Sequence, residues 1–133
     1  LTAIAEDIIN AQSSEITELR QYRLELYGSG EELPLDEHMM EMMMAAMPGM
    51  GSMEEMDAQM NPEAQVRAFC GSDDPDLAFI EHVIPHHEMA IASSETVVVE
   101  GIHHEIRAFA ERVIFAQQAE IEDLEEIKKD LSA

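Results

Sequence analysis

Residues 1–19, LTAIAEDIINAQSSEITEL, return in altered form as residues 106–124, IRAFAERVIFAQQAEIEDL. Nine of the nineteen positions are identical at an offset of 105: Ala3, Ala5, Glu6, Ile9, Ala11, Gln12, Glu15, Ile16 and Leu19. An internal repeat of this kind means that one supersecondary unit has been used twice. In the second copy Ile106, Ala110, Val113, Gln117, Glu120, Leu124, Ile127 and Leu131 alternate steps of four and three. The first copy follows the same rule with Leu1, Ala5, Ile8, Gln12, Glu15, Leu19, Tyr22 and Leu26. Both copies read as amphipathic helices of about seven turns.

A glutamine and a glutamate three residues apart interrupt each apolar seam at its middle. Inside a core they require hydrogen-bond or cation partners, because an unpaired carboxylate there is costly. Packing the two helices together would bring Gln12, Glu15, Gln117 and Glu120 near one another. The alternatives are glutamates at the stripe edge that reach solvent, or a polar lock that fixes helix register.

The rest of the chain is punctuated for helices. Gly28, Ser29, Gly30 and Pro34 end the first, and a short helix is expected from about Pro62 to Cys70. Asp74 is a good N-cap and Pro75 suits the first helical position, so another helix is expected from there to Glu100, stopping at Gly101. Length and a hydrophobic content of 46% allow one core, and 5% aromatics with no Trp make that core aliphatic. The expected fold is all-α, an up-and-down four-helix bundle of one domain. Residues 1–27 are expected to hold the first copy of the repeated helix, 35–61 a methionine-rich irregular or short-helical insert, and 75–131 the second repeat. Opening on Leu1 within a running helix, the chain is expected to be a processed form or a fragment.

Formal net charge is −22, which makes nucleic acid a poor partner and cations better ones, although a solvated or salt-adapted surface explains most such charge. Cys70 is the only cysteine, so an intrachain disulfide and any cysteine-based zinc or iron–sulfur site are excluded. No apolar run approaches the ~20 residues needed to span a bilayer, and no signal peptide opens the sequence.

Histidines cluster in FIEHVIPHHEMAI. His82, His86, Met89 and Ser93 lie along one strip of the helix, while His86 and His87 fall on either side of an apolar face marked by Phe79, Val83, Ala90 and Val97. Pro85 removes the donor that would serve the carbonyl of Glu81 and is expected to bend the helix there. Imidazole with a thioether neighbour suits copper or silver better than magnesium or calcium. Zinc, with Glu120 or Glu15 as an oxygen ligand, is the weaker alternative. His103 and His104 read as ordinary hydrogen-bonded histidines.

Ten of the eleven methionines fall within residues 37–60, EHMMEMMMAAMPGMGSMEEMDAQM. A methionine stripe on a helix is usually packing, but here HMMEMMM occupies every face and Pro48, Gly49 and Gly51 break the period. Thioethers bind Cu(I) and Ag(I) without deprotonation, in compartments where a thiol would oxidise. His38 with Met39, Met40, Met42, Met43, Met44, Met47, Met50, Met53, Met56 and Met60 is therefore read as a flexible capture segment, joined by His82, His86, His87 and Met89 as further metal ligands. An oxidant sponge and a promiscuous surface for partner helices are the rival readings. Catalysis is not expected. A di-iron carboxylate enzyme needs Glu-x-x-His pairs on helices, and the only such spacing, Glu100 to His103, straddles Gly101. No nucleophilic triad, phosphate loop or dinucleotide fingerprint occurs.

FIEHVIPHHEMAI followed by EIRAFAERVIFAQQAEIEDL resembles the CopM-like family catalogued as domain of unknown function 305. That family pairs a His-His-x-x-Ala-Ile helix with an Ala-x-x-Ile-x-x-Ala-Gln-x-x-Glu-Ile helix, often twice, and the likeness covers residues 1–27 and 75–131. It implies a ferritin-like four-helix bundle, usually exported to the periplasm or secreted, with copper and silver handling in some members. By the resemblance His86 and His87 are the paired histidines, and Gln117 with Glu120, repeated at Gln12 with Glu15, are the Gln-x-x-Glu. By the same resemblance residues 1–27 are the second helix of a truncated first repeat that lacks its own His-His helix, so a homodimer in which a second chain replaces it is one expectation. Val83, Leu19 and Leu124 stand where the family often has methionine.

Overall fold

The computed structural model describes residues 1–31, 36–46, 52, 54–55 and 61–133, with Met43 and Ala46 given by their backbone alone. Every principal element among them is an α-helix: α1 (Thr2–Tyr27), α2 (Glu37–Ala46), α3 (Pro62–Cys70), α4 (Pro75–Glu100) and α5 (His104–Ser132). The two copies of the repeat are α1 and α5. The chain divides into two compact units, Leu1–Leu35 and Asp36–Ala133.

In the first unit α1 ends where Gly28 adopts a left-handed conformation, φ 77°, and its N–H bonds to the carbonyl of Leu24 at 2.9 Å. Glycine adopts that conformation without the Cβ penalty other residues incur.

In the second unit α2, α3 and α4 each start on a side-chain cap, whereas His103 ahead of α5 makes no such bond. Asp36 Oδ1 accepts the N–H of Met39 at 2.8 Å at the head of α2. Asn61 Oδ1 accepts from Ala64 at 3.2 Å ahead of Pro62, and Asp74 Oδ1 from Leu77 at 3.0 Å ahead of Pro75. Each cap satisfies one of the orphaned donors of a first turn. Inside the methionine stretch Ser52 and Glu55 bond reciprocally, Ser52 N–H to Glu55 Oε2 at 2.8 Å and Glu55 N–H to Ser52 Oγ at 3.2 Å, which is a capping box.

The principal packing is the antiparallel hairpin of α4 and α5, with α3 laid against α4. Phe69 of α3 meets Phe79 at a ring separation of 5.8 Å. At the hairpin corner the Gly101 N–H bonds to Val97 O at 2.8 Å, and Arg107 Nη1 donates to Gly101 O at 2.7 Å. A Cβ on Gly101 would press against the Val97 carbonyl oxygen, so the turn requires glycine there. At the other end Lys128 Nζ meets Glu81 Oε1 at 3.1 Å, an exposed pair contributing about 0–1 kcal/mol.

The buried residues of α5 are Phe109, Ala110, Val113, Gln117 and Leu124, so the middle of the seam read from the sequence is the core-facing line, glutamine included. On α4 the outcome differs from expectation. Its buried positions are Ile80 and His87, two turns apart, while Phe79, Val83, Ala90 and Val97 are only half-buried. The reason is that α4 serves two partners, α5 and α3, and the Phe79 side belongs to the contact with α3. His87 thus occupies the middle of the α5-facing line instead of its margin.

Leu124 is wholly enclosed and Phe115, on the same helix, is 78% exposed. Leu124→Ala is expected to lower unfolding stability by about 2–5 kcal/mol, as large-to-small core changes do, and Phe115→Ala by less than about 0.5 kcal/mol. Urea unfolding of the two variants checks this; equal losses would contradict the assigned core.

Candidate functional site

The three histidines of α4 sit in three environments. His82 is exposed; its Nδ1 lies 2.9 Å from the Ala78 carbonyl, which only accepts, so Nδ1 carries the hydrogen and Nε2 is its available donor atom. Its ring stands edge-on to Phe69 at 5.2 Å. His86, one turn on, is half-buried. Burial pushes its imidazole below the ordinary histidine range, and the adjacent His87, with ring centres 6.3 Å apart, adds to the shift. His86 therefore presents a neutral ring near pH 7, the form that binds metals.

His87 is 1% exposed. Its Nε2 is 2.6 Å from Glu120 Oε2, across the hairpin, and the Glu120 side chain keeps 19% of its surface. Its other nitrogen, Nδ1, is buried with no partner. One turn before Glu120, Gln117 is 5% exposed and its Oε1 is buried and likewise unpartnered. A carboxylate accepts only, so the bond places a hydrogen on Nε2 and, in the neutral ring, a lone pair on Nδ1. That arrangement, one imidazole nitrogen held by a carboxylate and the other uncommitted, is how metal-binding histidines are usually oriented.

The structure gathers some of the expected ligands and separates others. His82, His86, Met89 and Ser93 do share a strip, with Ser93 Oγ donating to Met89 O at 2.8 Å, but only His82 on it is exposed. His87 faces another way, into α5. Among the described residues no group of three His, Cys, Asp or Glu side chains is placed to hold a metal ion. On α2, His38 and Met42 are exposed and Met39, Met40 and Met44 half-buried. The side chain of Met43, and Met47, Met50, Met53, Met56 and Met60 entirely, lie outside the described residues.

The sequence sets Glu120 beside the α4 histidines only as an oxygen ligand in the zinc alternative; the direct bond of His87 to Glu120 is new in the structure. Its signal was present as two unsolved problems, an acid in one helical seam and an imidazole in the next helix, each needing a polar partner. His104 lies on the surface, its Nδ1 3.3 Å from Glu105 Oε2, and is not a core histidine.

The shift at His86 has a consequence for stability. Its folded-state affinity for protons is lower than its unfolded one, so above about pH 6.5 both states are neutral there and the residue is silent. As pH falls below that value the unfolded chain takes a proton the folded chain resists, and stability drops. In the metal-free protein His86→Gln should flatten the decline in unfolding free energy between about pH 6.5 and pH 5, measured by urea unfolding across that range; an unchanged slope would contradict the assignment.

Among the described residues no helix is long and apolar enough to cross a membrane. No curated protein and no solved structure matches the chain. The family model described as Domain of unknown function (DUF305) matches residues 1–128. That span takes in both copies of the repeated helix, the histidine cluster and the His87–Glu120 pair, and the protein belongs to the DUF305 family.

Proposed function

We propose that this protein binds Cu(I) or Ag(I) through methionine and histidine side chains, without catalysis, as a buffer, carrier or resistance factor. One observation carries the reading. Ten methionines occupy residues 37–60, and none of the four whose side chains are described, Met39, Met40, Met42 and Met44, is buried. Methionine recruited as core filler would be enclosed. Thioethers left within reach of solvent, with the exposed His38 among them, are neutral soft donors suited to d10 cations. The neutral imidazole of His86 and the uncommitted Nδ1 of His87 supply borderline donors on α4.

The wider setting belongs to the same proposal. It is a CopM-like member of the family with a ferritin-like four-helix bundle, working in the periplasm or outside the cell, where thioethers outlast thiols. A second copy of the chain completes the bundle as a homodimer. The charge of −22 raises the local concentration of cations at low salt, an effect screened within about 10 Å at 0.1 M.

Anaerobic Cu(I) titration against a chromophoric competitor tests the reading. The intact chain is compared with a variant in which the ten methionines of residues 37–60 are leucine, a swap that conserves volume. The intact chain should take up several equivalents tightly and the variant should lose most of them. Equal, weak uptake by both would contradict metal binding and leave the segment as an oxidant sponge or a surface for partner helices.

A further inference from the structure

The two ring nitrogens of His87 are not equivalent. Nε2 is committed across the helix interface to Glu120 at 2.6 Å, and Nδ1 is enclosed with no partner in a residue that is 99% buried by its 1% exposure. An enclosed imidazole nitrogen bearing a lone pair is ill-suited to a core unless something electron-accepting meets it. A second acceptor, Gln117 Oε1, is buried on the facing helix one turn before Glu120, also without a partner.

We propose that Glu120 is the positioning residue of a metal-binding histidine: from α5 it fixes the His87 ring so that Nδ1 is the atom offered to a monovalent d10 cation. This rests on the soft-metal reading and gives it an atom. The reverse arrangement, with Nε2 as donor, would break the interhelix bond and set the Glu120 carboxylate beside a soft ion, for which a hard oxygen is a poor ligand. With Nε2–H held by the carboxylate, the ring cannot flip without losing that bond, and the carboxylate increases the donor strength of the opposite nitrogen. Glu120 itself need not touch the ion.

The experiment uses the whole chain, labelled with 15N on histidine and 13C on methionine methyls, in anaerobic buffer with Ag(I) as probe. His87 resonances are identified by their loss in His87→Gln. In the metal-free protein Nε2 should carry the proton and Nδ1 the lone pair. On adding Ag(I), the His87 Nδ1 signal should move strongly while Nε2 keeps its hydrogen. Glu120→Ala should weaken Ag(I) binding at His87 by about 10–100-fold, and Glu120→Gln, which retains a neutral acceptor of the same shape, by less. Methionine methyl shifts should be unaffected by either change. If the methyls respond to Ag(I) and His87 Nδ1 does not, the inference is overturned while the soft-metal reading stands. A protonated Nδ1, or binding at His87 that Glu120→Ala leaves intact, overturns it as well. Silence of both histidine and methyl signals ends the reading and the inference together.

Discussion

The 2.6 Å hydrogen bond between His87 and Glu120 is the constraint on which the α4–α5 hairpin depends. Between the Arg107–Gly101 bond at the corner and the exposed Lys128–Glu81 pair at the far end, the two helices meet mainly through apolar side chains, whose attraction is indifferent to small displacements. A slip of α4 by one turn would set Glu120 opposite Val83 or Ile91 and leave both an acid and an imidazole without partners. Each orphan would cost about 1–3 kcal/mol, a large share of the 5–15 kcal/mol by which domains are stable. The pair therefore selects one register from several that the apolar seam alone would tolerate, the role best attested for buried polar residues in helical assemblies.

That same bond decides what chemistry the hairpin can perform. By engaging Nε2 it leaves a single ring nitrogen, enclosed and oriented, whereas His82 spends its Nδ1 on a backbone carbonyl and keeps Nε2 on the surface. His86 lies between these cases, half-buried and biased toward its neutral form. The methionine segment is a different chemical setting, with thioethers on a short capped helix and none of the described ones buried. Under the proposed function, reachable thioethers would suit exchange of a soft ion and an oriented imidazole in a core would suit its retention.

Helix boundaries were legible in the sequence where they rest on local chemistry. Asp74-Pro75, Pro62 and Gly101 mark the limits of α3 and α4 because helix ends depend on a few neighbouring atoms, and the structure adds Asn61 as the cap ahead of Pro62. The α5 seam was legible too, since Ala110, Val113, Gln117 and Leu124 follow one unbroken period and face one partner. The facing of α4 was not. Phe79, Ile80, Val83, Ile84, Ala90 and Ile91 leave little polar surface between them, so periodicity cannot rank one face over another, and the helix has two partners. The candidate site suffered from the same ambiguity. His87 and Glu120 both stand out in the sequence, but joining them by a hydrogen bond requires knowing which side of α4 meets α5. In the methionine stretch, Asp36 and the Ser52–Glu55 capping box give local order that the proline and glycines had obscured.

A double-mutant cycle on the metal-free protein tests most directly whether the His87–Glu120 bond organises the hairpin. Unfolding free energies are measured for the intact chain, His87→Leu, Glu120→Leu and the double variant. The expected coupling energy is about 1.5–3 kcal/mol, the scale of a hydrogen bond to a charged group, with the double variant less damaged than the sum of the singles. A coupling below about 0.5 kcal/mol, the additivity of independent sites, would contradict it.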